Sequence, residues 1–330
     1  MSTSPRRDAE SGDVEPHVEE ARFLGEEFTE TLEACVSAVR KTPALAHVSH
    51  YGEGLFNLSA DRLGPDYRGR EALRGLGRRL DSFVARVETR LLGARTGLLI
   101  RTVLHTASGS LQCNSVVPGQ SVVGLSRGVP PPDLALSRTP EVLQADRELS
   151  ALATALRKLV RQLSQNPGGY ESEGETPSLT SLHPPLEPWS RTTSDELPAG
   201  LARACLDAVR AEDLHYVAYC TTDGVGFEAD QLAHPSLRSF FVGITVEARR
   251  NFYRVFSREL VDLARRFNQL NAGVGPEGPL LRLVLDVEQG AIYYYRLNPR
   301  AYLVGVTIDQ EQVTNADHRL ADLARPYTTR

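Results

Sequence analysis

The segment Gly273-Val274-Gly275-Pro276-Glu277-Gly278 is the closest approach to a phosphate-binding loop in this sequence. A dinucleotide site needs such a loop after a strand and before a helix, so that the amino terminus of the helix faces the pyrophosphate. Here the hydrophobic pattern places a helix before the loop and a strand after it, and Pro276 lacks an amide hydrogen. We therefore interpret the segment as a helix-to-strand loop and expect no nucleotide cofactor.

Residues able to perform catalysis or bind a metal are present but scattered. The eight histidines do not recur at matching places along the chain, and the four cysteines form no Cys-x-x-Cys pair. Cys35 and Cys205 lie in apolar helical patterns, which indicates buried free thiols. We expect no catalytic residue, no cofactor and no metal site, and hence a protein that is not an enzyme.

Two pairs of aspartates do recur. Asp61 and Asp230 each end a strand, where a turn-forming side chain is favoured. Asp146 and Asp317 lie within helices, where each is expected to face a backbone group or an arginine.

Arginines at four-residue steps suggest a different chemistry. Arg70, Arg74 and Arg78 share one face of a long predicted helix, and a second long helix carries the similar series Arg250, Arg254 and Arg258. These series fit either a solvated helix face or an interface with an acidic protein partner. Because the net charge is −5 and no aromatic residues alternate with the arginines, we do not expect a nucleic-acid partner.

Tyrosines concentrate in the predicted late strands of the second half of the chain. Strand alternation sends Tyr293 and Tyr295 to one face of a sheet and Tyr294 to the other. With Tyr302, they either cover a core or form a contact surface that the first half lacks. The candidate interface therefore comprises the six arginines named above together with Tyr293, Tyr295 and Tyr302.

These features belong to two copies of one pattern. Residues 97–124 align without a gap on residues 278–305, and Ala34–Arg40 resembles Ala204–Arg210. A period this long indicates duplication of a whole domain. We predict a disordered tail over residues 1–19, a first domain over 20–163, a linker over 164–198, a second domain over 199–326 and a short tail over 327–330.

Each copy is predicted to have the element order α-β-β-α-β-β-β-α, and hence an α/β fold of the α+β type. A mainly antiparallel sheet of about five strands packed with three helices accounts for this order. The long second helices show apolar residues at three- and four-residue steps. The linker is rich in Pro, Gly and Ser, and Trp189 within it is expected to pack back onto a domain. Polar and acidic residues stand where a signal peptide needs an apolar core, and no apolar stretch is long enough to span a membrane, so we expect a cytoplasmic protein that does not insert into membranes.

The element order, together with Arg300-Ala301-Tyr302-Leu303-Val304-Gly305-Val306 before a last helix, resembles the Roadblock/dynein light chain family. The second copy departs from the pattern at Leu232–Thr245, an insertion before its long helix, and the first at the Pro-rich residues Val129–Pro132. Profilin-like, longin-like and secretion-chaperone-like folds would give much the same order.

The resemblance implies a non-catalytic scaffold in which the two copies pair internally and bind a protein, foremost a small Ras-like GTPase or signalling NTPase. The linker is long enough to let the copies meet side by side, and covalent linkage raises their effective concentration. The alternative is a secretion-chaperone-like or sensor-type module that binds a client protein or a ligand.

Overall fold

The computed structural model describes residues 15–127, 140–160, 186–271 and 273–328. The described residues form twelve strands and six α-helices in an α+β arrangement, which confirms the mixed fold class. In the first half these are β1 (His17–Glu20), α1 (Thr29–Lys41), β2 (Leu45–Gly52), β3 (Leu55–Asp61), α2 (Arg70–Leu91), β4 (Leu99–His105), β5 (Gly109–Val117), β6 (Gln120–Arg127) and α3 (Pro140–Leu159). In the second half they are β7 (Trp189–Thr192), α4 (Leu201–Ala208), β8 (Tyr216–Thr221), β9 (Gly224–Asp230), α5 (Val246–Asn271), β10 (Arg282–Val287), β11 (Gly290–Arg296), β12 (Ala301–Thr307) and α6 (Val313–Ala324).

All twelve strands belong to one antiparallel sheet with the order β1-β3-β2-β6-β5-β4-β10-β11-β12-β8-β9-β7. Read inward from the two ends, the strands of each half follow the same order, so that β1 corresponds to β7 and β4 to β10. The halves join where β4 pairs with β10. In this join Arg282 lies opposite His105, and Asp286 lies opposite Arg101. Each half thereby covers the strand edge that the other would leave open.

The helices cover both faces of the sheet. The long helices α2 and α5 lie on one face, over a continuous core to which both halves contribute. The predicted apolar stripe of α2, including Leu76, Leu80 and Phe83, is buried in this core. On the opposite face, α1 and α3 pack over the first half and α4 and α6 over the second.

Two short strands lie where the sequence predicted a tail and a linker. Strand β1 pairs with β3, and β7 pairs with β9, so the expectation of disorder was wrong for residues 17–19 and that of a linker was wrong for residues 189–192. Both strands are polar, and their backbones are held by the neighbouring strand rather than by an apolar face. The remaining predicted tail and linker residues, and the Pro-rich stretch Val129–Pro132, lie largely outside the described residues.

Other predictions hold in detail. The glycine-rich segment 273–278 connects α5 to β10, as expected for a helix-to-strand loop. Trp189 packs back onto the second half, where the Arg250 guanidinium carbon lies 4.0 Å from its ring centre. Helix α1 starts at Thr29, directly after a 3-10 turn over Glu26–Phe28. Among the described residues, none of the helices is both long and apolar enough to cross a membrane.

Candidate partner-binding face

Helices α2 and α5 lie side by side in antiparallel directions on their face of the sheet. Arg79, in the middle of α2, donates from Nη2 to the carbonyl oxygen of Leu270, near the end of α5, at 3.4 Å. At the other end, Arg90 of α2 pairs with Glu259 of α5, and its Nε lies 2.8 Å from Oε2. The two helices therefore present one composite outer surface, which we call the α2–α5 face.

The first arginine of each predicted series points inward. Arg70 is buried and forms a bidentate pair with Asp61, with distances of 2.8 and 2.9 Å. Arg250 forms an equivalent bidentate pair with Asp230, with distances of 2.5 and 2.9 Å. These arginines tie the helix starts to the ends of β3 and β9, so their prediction as interface residues is corrected: Arg70 and most of the Arg250 side chain are occupied within the chain.

The aspartates at these positions have two roles. Asp61 Oδ1 accepts from the backbone N–H of Leu63 at 2.9 Å, and Asp230 Oδ1 accepts from that of Leu232 at 3.1 Å. The predicted turn-forming role is therefore confirmed. Each aspartate also binds an arginine in the first or second turn of the next helix, Arg70 in α2 and Arg250 in α5, which the sequence pattern alone did not predict.

The second arginines are half-buried at the edge of the face. Arg74 lies 3.7 Å from Glu19 of β1 and places its guanidinium carbon 5.4 Å from the ring centre of Phe56. Arg254 binds Glu228 of β9 at 2.6 Å, with 19% of its side chain exposed. These arginines mainly fix the helices to the sheet and leave only part of each guanidinium for a partner.

The third arginines, Arg78 and Arg258, are exposed on the α2–α5 face. So are Arg86 and Arg266, which the sequence analysis missed and which line a groove of about 280 Å³ between the helices. Within the described part of the chain, none of these four guanidinium groups has a hydrogen-bond or ion-pair partner. We call them the outer arginines. A spacing of 180 residues relates Arg78 to Arg258 and Arg86 to Arg266, as it relates Arg70 to Arg250, and this repetition could have identified them.

The predicted tyrosine surface is absent. Tyr293, Tyr295 and Tyr302 are each at most 2% exposed, so this part of the interface prediction was wrong. Their hydroxyl groups donate to the carbonyl of Val313, to Asp317 and to the carbonyl of Ser257, at 2.6, 2.5 and 2.8 Å. Helices cover both faces of the sheet, so the alternation of the side chains was predicted correctly while their exposure was not.

A buried ionic cluster, which we call the junction cluster, lies at the join between β4 and β10. Arg101 of β4 binds Asp286 of β10 and lies 3.4 Å from Asp146 of α3. Arg282 of β10 binds Asp317 of α6 at 2.5 Å and lies 3.1 Å from Nδ1 of His105. The arginine partners predicted for Asp146 and Asp317 are confirmed.

The insertion at Leu232–Thr245 also reaches the junction. It includes a 3-10 helix over Pro235–Phe241, and the Phe241 ring centre lies 4.7 Å from the guanidinium carbon of buried Arg249. Arg249 donates to the carbonyl oxygens of Ala94 and Arg95 at 3.2 and 3.3 Å, just beyond the end of α2. A cation near the carboxyl end of a helix offsets the partial negative charge there, so α5 stabilises α2 across the join.

Histidines and cysteines lie mainly in packed interiors. Burial raises the pKa of the Cys35 and Cys205 thiols to about 12, as expected for structural thiols. Burial lowers the pKa values of His47, His50 and His215 to about 4. Within the described residues, no group of three or more His, Cys, Asp or Glu side chains is arranged to hold a metal ion.

No protein-family model matches the sequence, and no curated protein matches it. Among solved structures, the chain is similar to one described as "MglB with tetrameric arrangement", at 14% identity and a TM-score of 0.31. The similarity covers 42% of this chain and 93% of that chain.

Proposed function

We propose that the two halves of this chain pair internally to form a non-catalytic adaptor whose α2–α5 face binds the acidic surface of a protein partner. A small Ras-like GTPase or a signalling NTPase is the leading candidate. The observation that carries the proposal is the set of outer arginines, repeated in both helices and exposed on one composite surface.

The charge distribution supports an acidic partner. The exposed charged residues of helices α2 and α5 are seven arginines and three acidic residues, a net charge of +4 in a chain whose net charge is −5. Arginine is enriched at protein interfaces because its planar guanidinium can bind carboxylates through two hydrogen bonds at once.

The internal pairing is supported by the sheet order, which reads the same inward from both ends, and by the antiparallel packing of α2 on α5. The non-catalytic role is supported by the buried histidines and cysteines, which lie within the core. The GTPase as partner follows from the resemblance of the element order to the Roadblock family.

Capture of partners from native lysate by the tagged full-length chain tests the proposal, in the presence of GDP or of a non-hydrolysable GTP analogue. We expect a GTPase to be retained in one nucleotide state only. We expect the double variant Arg78→Glu/Arg258→Glu to lose it, because the reversed charges repel an acidic surface. The matched control is Arg203→Glu, which reverses an exposed arginine on α4, away from the α2–α5 face.

Retention of an unrelated client that is indifferent to nucleotide, and equal in wild type and the double variant, would contradict the proposal. It would favour a chaperone-like or sensor-type module instead.

A further inference from the structure

A cavity of about 510 Å³ opens in the first half, between α2 and the turns of the β2–β3 and β5–β6 hairpins. Its lining includes the buried residues Leu99, Cys113 and Ser121, and the exposed apolar side chains of Leu92 and Leu98. A volume of this size, with an apolar lining and a few polar groups, is typical of small-molecule sites. It shares no lining residue with the groove between α2 and α5.

The second half fills the equivalent space with aromatic rings. Sheet register equates Cys113 with Tyr294 and Ser121 with Tyr302, since the two hairpins pair in the same way. These two tyrosines are buried, with ring centres 5.0 Å apart.

Part of this difference is compensated within the first half. Tyr51 lies opposite Ser121 in the sheet, whereas Cys220 lies opposite Tyr302. Phe56, the cross-strand neighbour of Tyr51, likewise stands where the second half has Val225. The first half therefore places its aromatic pair on β2 and β3, and Cys113 and Ser121 stand where the second half has tyrosines.

The charge of the cavity is also specific to the first half. Its lining contains three carboxylates, Glu53, Asp81 and Glu88, and no Lys, Arg or His. The corresponding residues in the second half are Thr222, Val261 and Asn268. The cavity lining of the first half therefore carries negative charge at three positions where the second half has uncharged residues.

The carboxylates are held near the open volume. Ser121 donates from Oγ to Asp81 Oδ1 at 2.6 Å, which orients the aspartate over the cavity lining. Burial raises the pKa of Glu88, and the negative charge of Glu288 raises it further. A bound cation would offset the repulsion that Glu288 exerts on Glu88.

We propose that this cavity binds a small organic cation, with its ammonium or guanidinium group among the lining carboxylates Glu53, Asp81 and Glu88 and an apolar or aromatic body against Leu99 and Cys113. The site is independent of partner binding at the α2–α5 face, so either proposal can fail without the other.

Three probes of nearly the same shape and different charge test the proposal by calorimetric titration of the full-length chain. Tyramine is a cation, p-ethylphenol is neutral and p-hydroxyphenylpropionate is an anion. We expect tyramine to bind most tightly and the anion not to bind at millimolar concentration, because the carboxylates attract the first and repel the last.

Variants locate the binding. Ser121→Tyr copies the second half and should abolish tyramine binding by filling the cavity, with the melting temperature checking that the chain is folded. Asp81→Asn and Glu88→Gln each remove one charge at a partly exposed position, and each should weaken binding by at least about twofold. Asp207→Asn removes an exposed carboxylate on α4 and should leave binding unchanged.

The proposal is overturned if tyramine does not bind, or if the anion binds as tightly as tyramine. It is also overturned if folded Ser121→Tyr binds like wild type. If Ser121→Tyr does not fold, unchanged binding by both Asp81→Asn and Glu88→Gln has the same meaning.

Discussion

We expect Asp286→Ala to lower the free energy of unfolding by about 3–5 kcal/mol, the usual cost of removing one partner from a buried ion pair. Asp286 is fully buried and binds Arg101 across the join between β4 and β10. Burial raises the pKa of Asp286, while the charge of Arg101 opposes that rise. Without this carboxylate, Arg101 stays buried with less compensation for its charge. Urea unfolding of the full-length chain measures the effect.

Two comparisons show whether the buried charge is the cause. Asp262→Ala removes a carboxylate of α5 whose ion pair with Arg265 is well exposed, and should cost at most about 1 kcal/mol. Arg101→Met/Asp146→Asn/Asp286→Leu removes the arginine together with the charges of both its carboxylate partners, and should cost less than Asp286→Ala alone. If Asp286→Ala costs no more than Asp262→Ala, the junction cluster does not hold the halves together as described.

The second large effect is a loss of stability in mild acid. Burial lowers the pKa values of His47, His50 and His215 from 6.5 to about 4. At a pH between about 4 and 6.5, the unfolded chain therefore binds protons on these histidines that the folded chain does not bind. The contribution of these neutral histidines to the free energy of unfolding is fully present well above pH 6.5. It is lost as the pH falls toward about 4, by up to roughly 3 kcal/mol for each fully buried histidine.

His215 shows the structural reason. Its Nδ1 accepts from the backbone N–H of Ile308 at 3.0 Å, and its Nε2 lies 3.1 Å from the carbonyl oxygen of Ala211. The neutral ring satisfies both contacts by accepting at Nδ1 and donating at Nε2, whereas protonation would place a proton on Nδ1 against a backbone donor.

Urea unfolding between about pH 7.5 and about pH 5 measures this acid sensitivity. Neither ring nitrogen of His47 has a hydrogen-bond partner within the described part of the chain. His47→Phe should therefore reduce the sensitivity without removing a hydrogen bond. His17→Gln, at an exposed position of β1, should leave it unchanged. The pKa values of Asp286 and Glu88 are raised in the folded chain, from ordinary values of 3.8 and 4.5. These two groups therefore favour the folded chain as the pH falls, which opposes the effect of the histidines. Equal stability across this range would contradict the prediction.

Much of the fold could be predicted because the hydrophobic pattern is strong where helices and strands are long. The apolar stripe of α2 and the alternation of Tyr293, Tyr294 and Tyr295 both follow from periodicity. Strands β1 and β7 could not be found in this way. They are four residues long, polar, and stabilised mainly by hydrogen bonds to a neighbouring strand that is distant in sequence.

The candidate site was predicted in part for a similar reason. Helical spacing placed the arginines on one side of α2 and α5, but it could not separate Arg70 from Arg78. That distinction depends on Asp61, which reaches Arg70 only because β3 ends beside the start of α2. The tyrosines failed as interface residues because a local pattern does not report which sheet faces are covered by helices.

The most direct test of the central claim is the affinity of the captured partner for wild type, Arg86→Glu, Arg266→Glu and the double variant. Arg86 and Arg266 lie on different helices and line the same groove. If both helices form one binding surface, each single reversal should weaken binding by at least about fivefold and the double reversal by more than either. Full affinity in the double variant, or dependence on only one helix, would contradict a composite surface built from both halves of the chain.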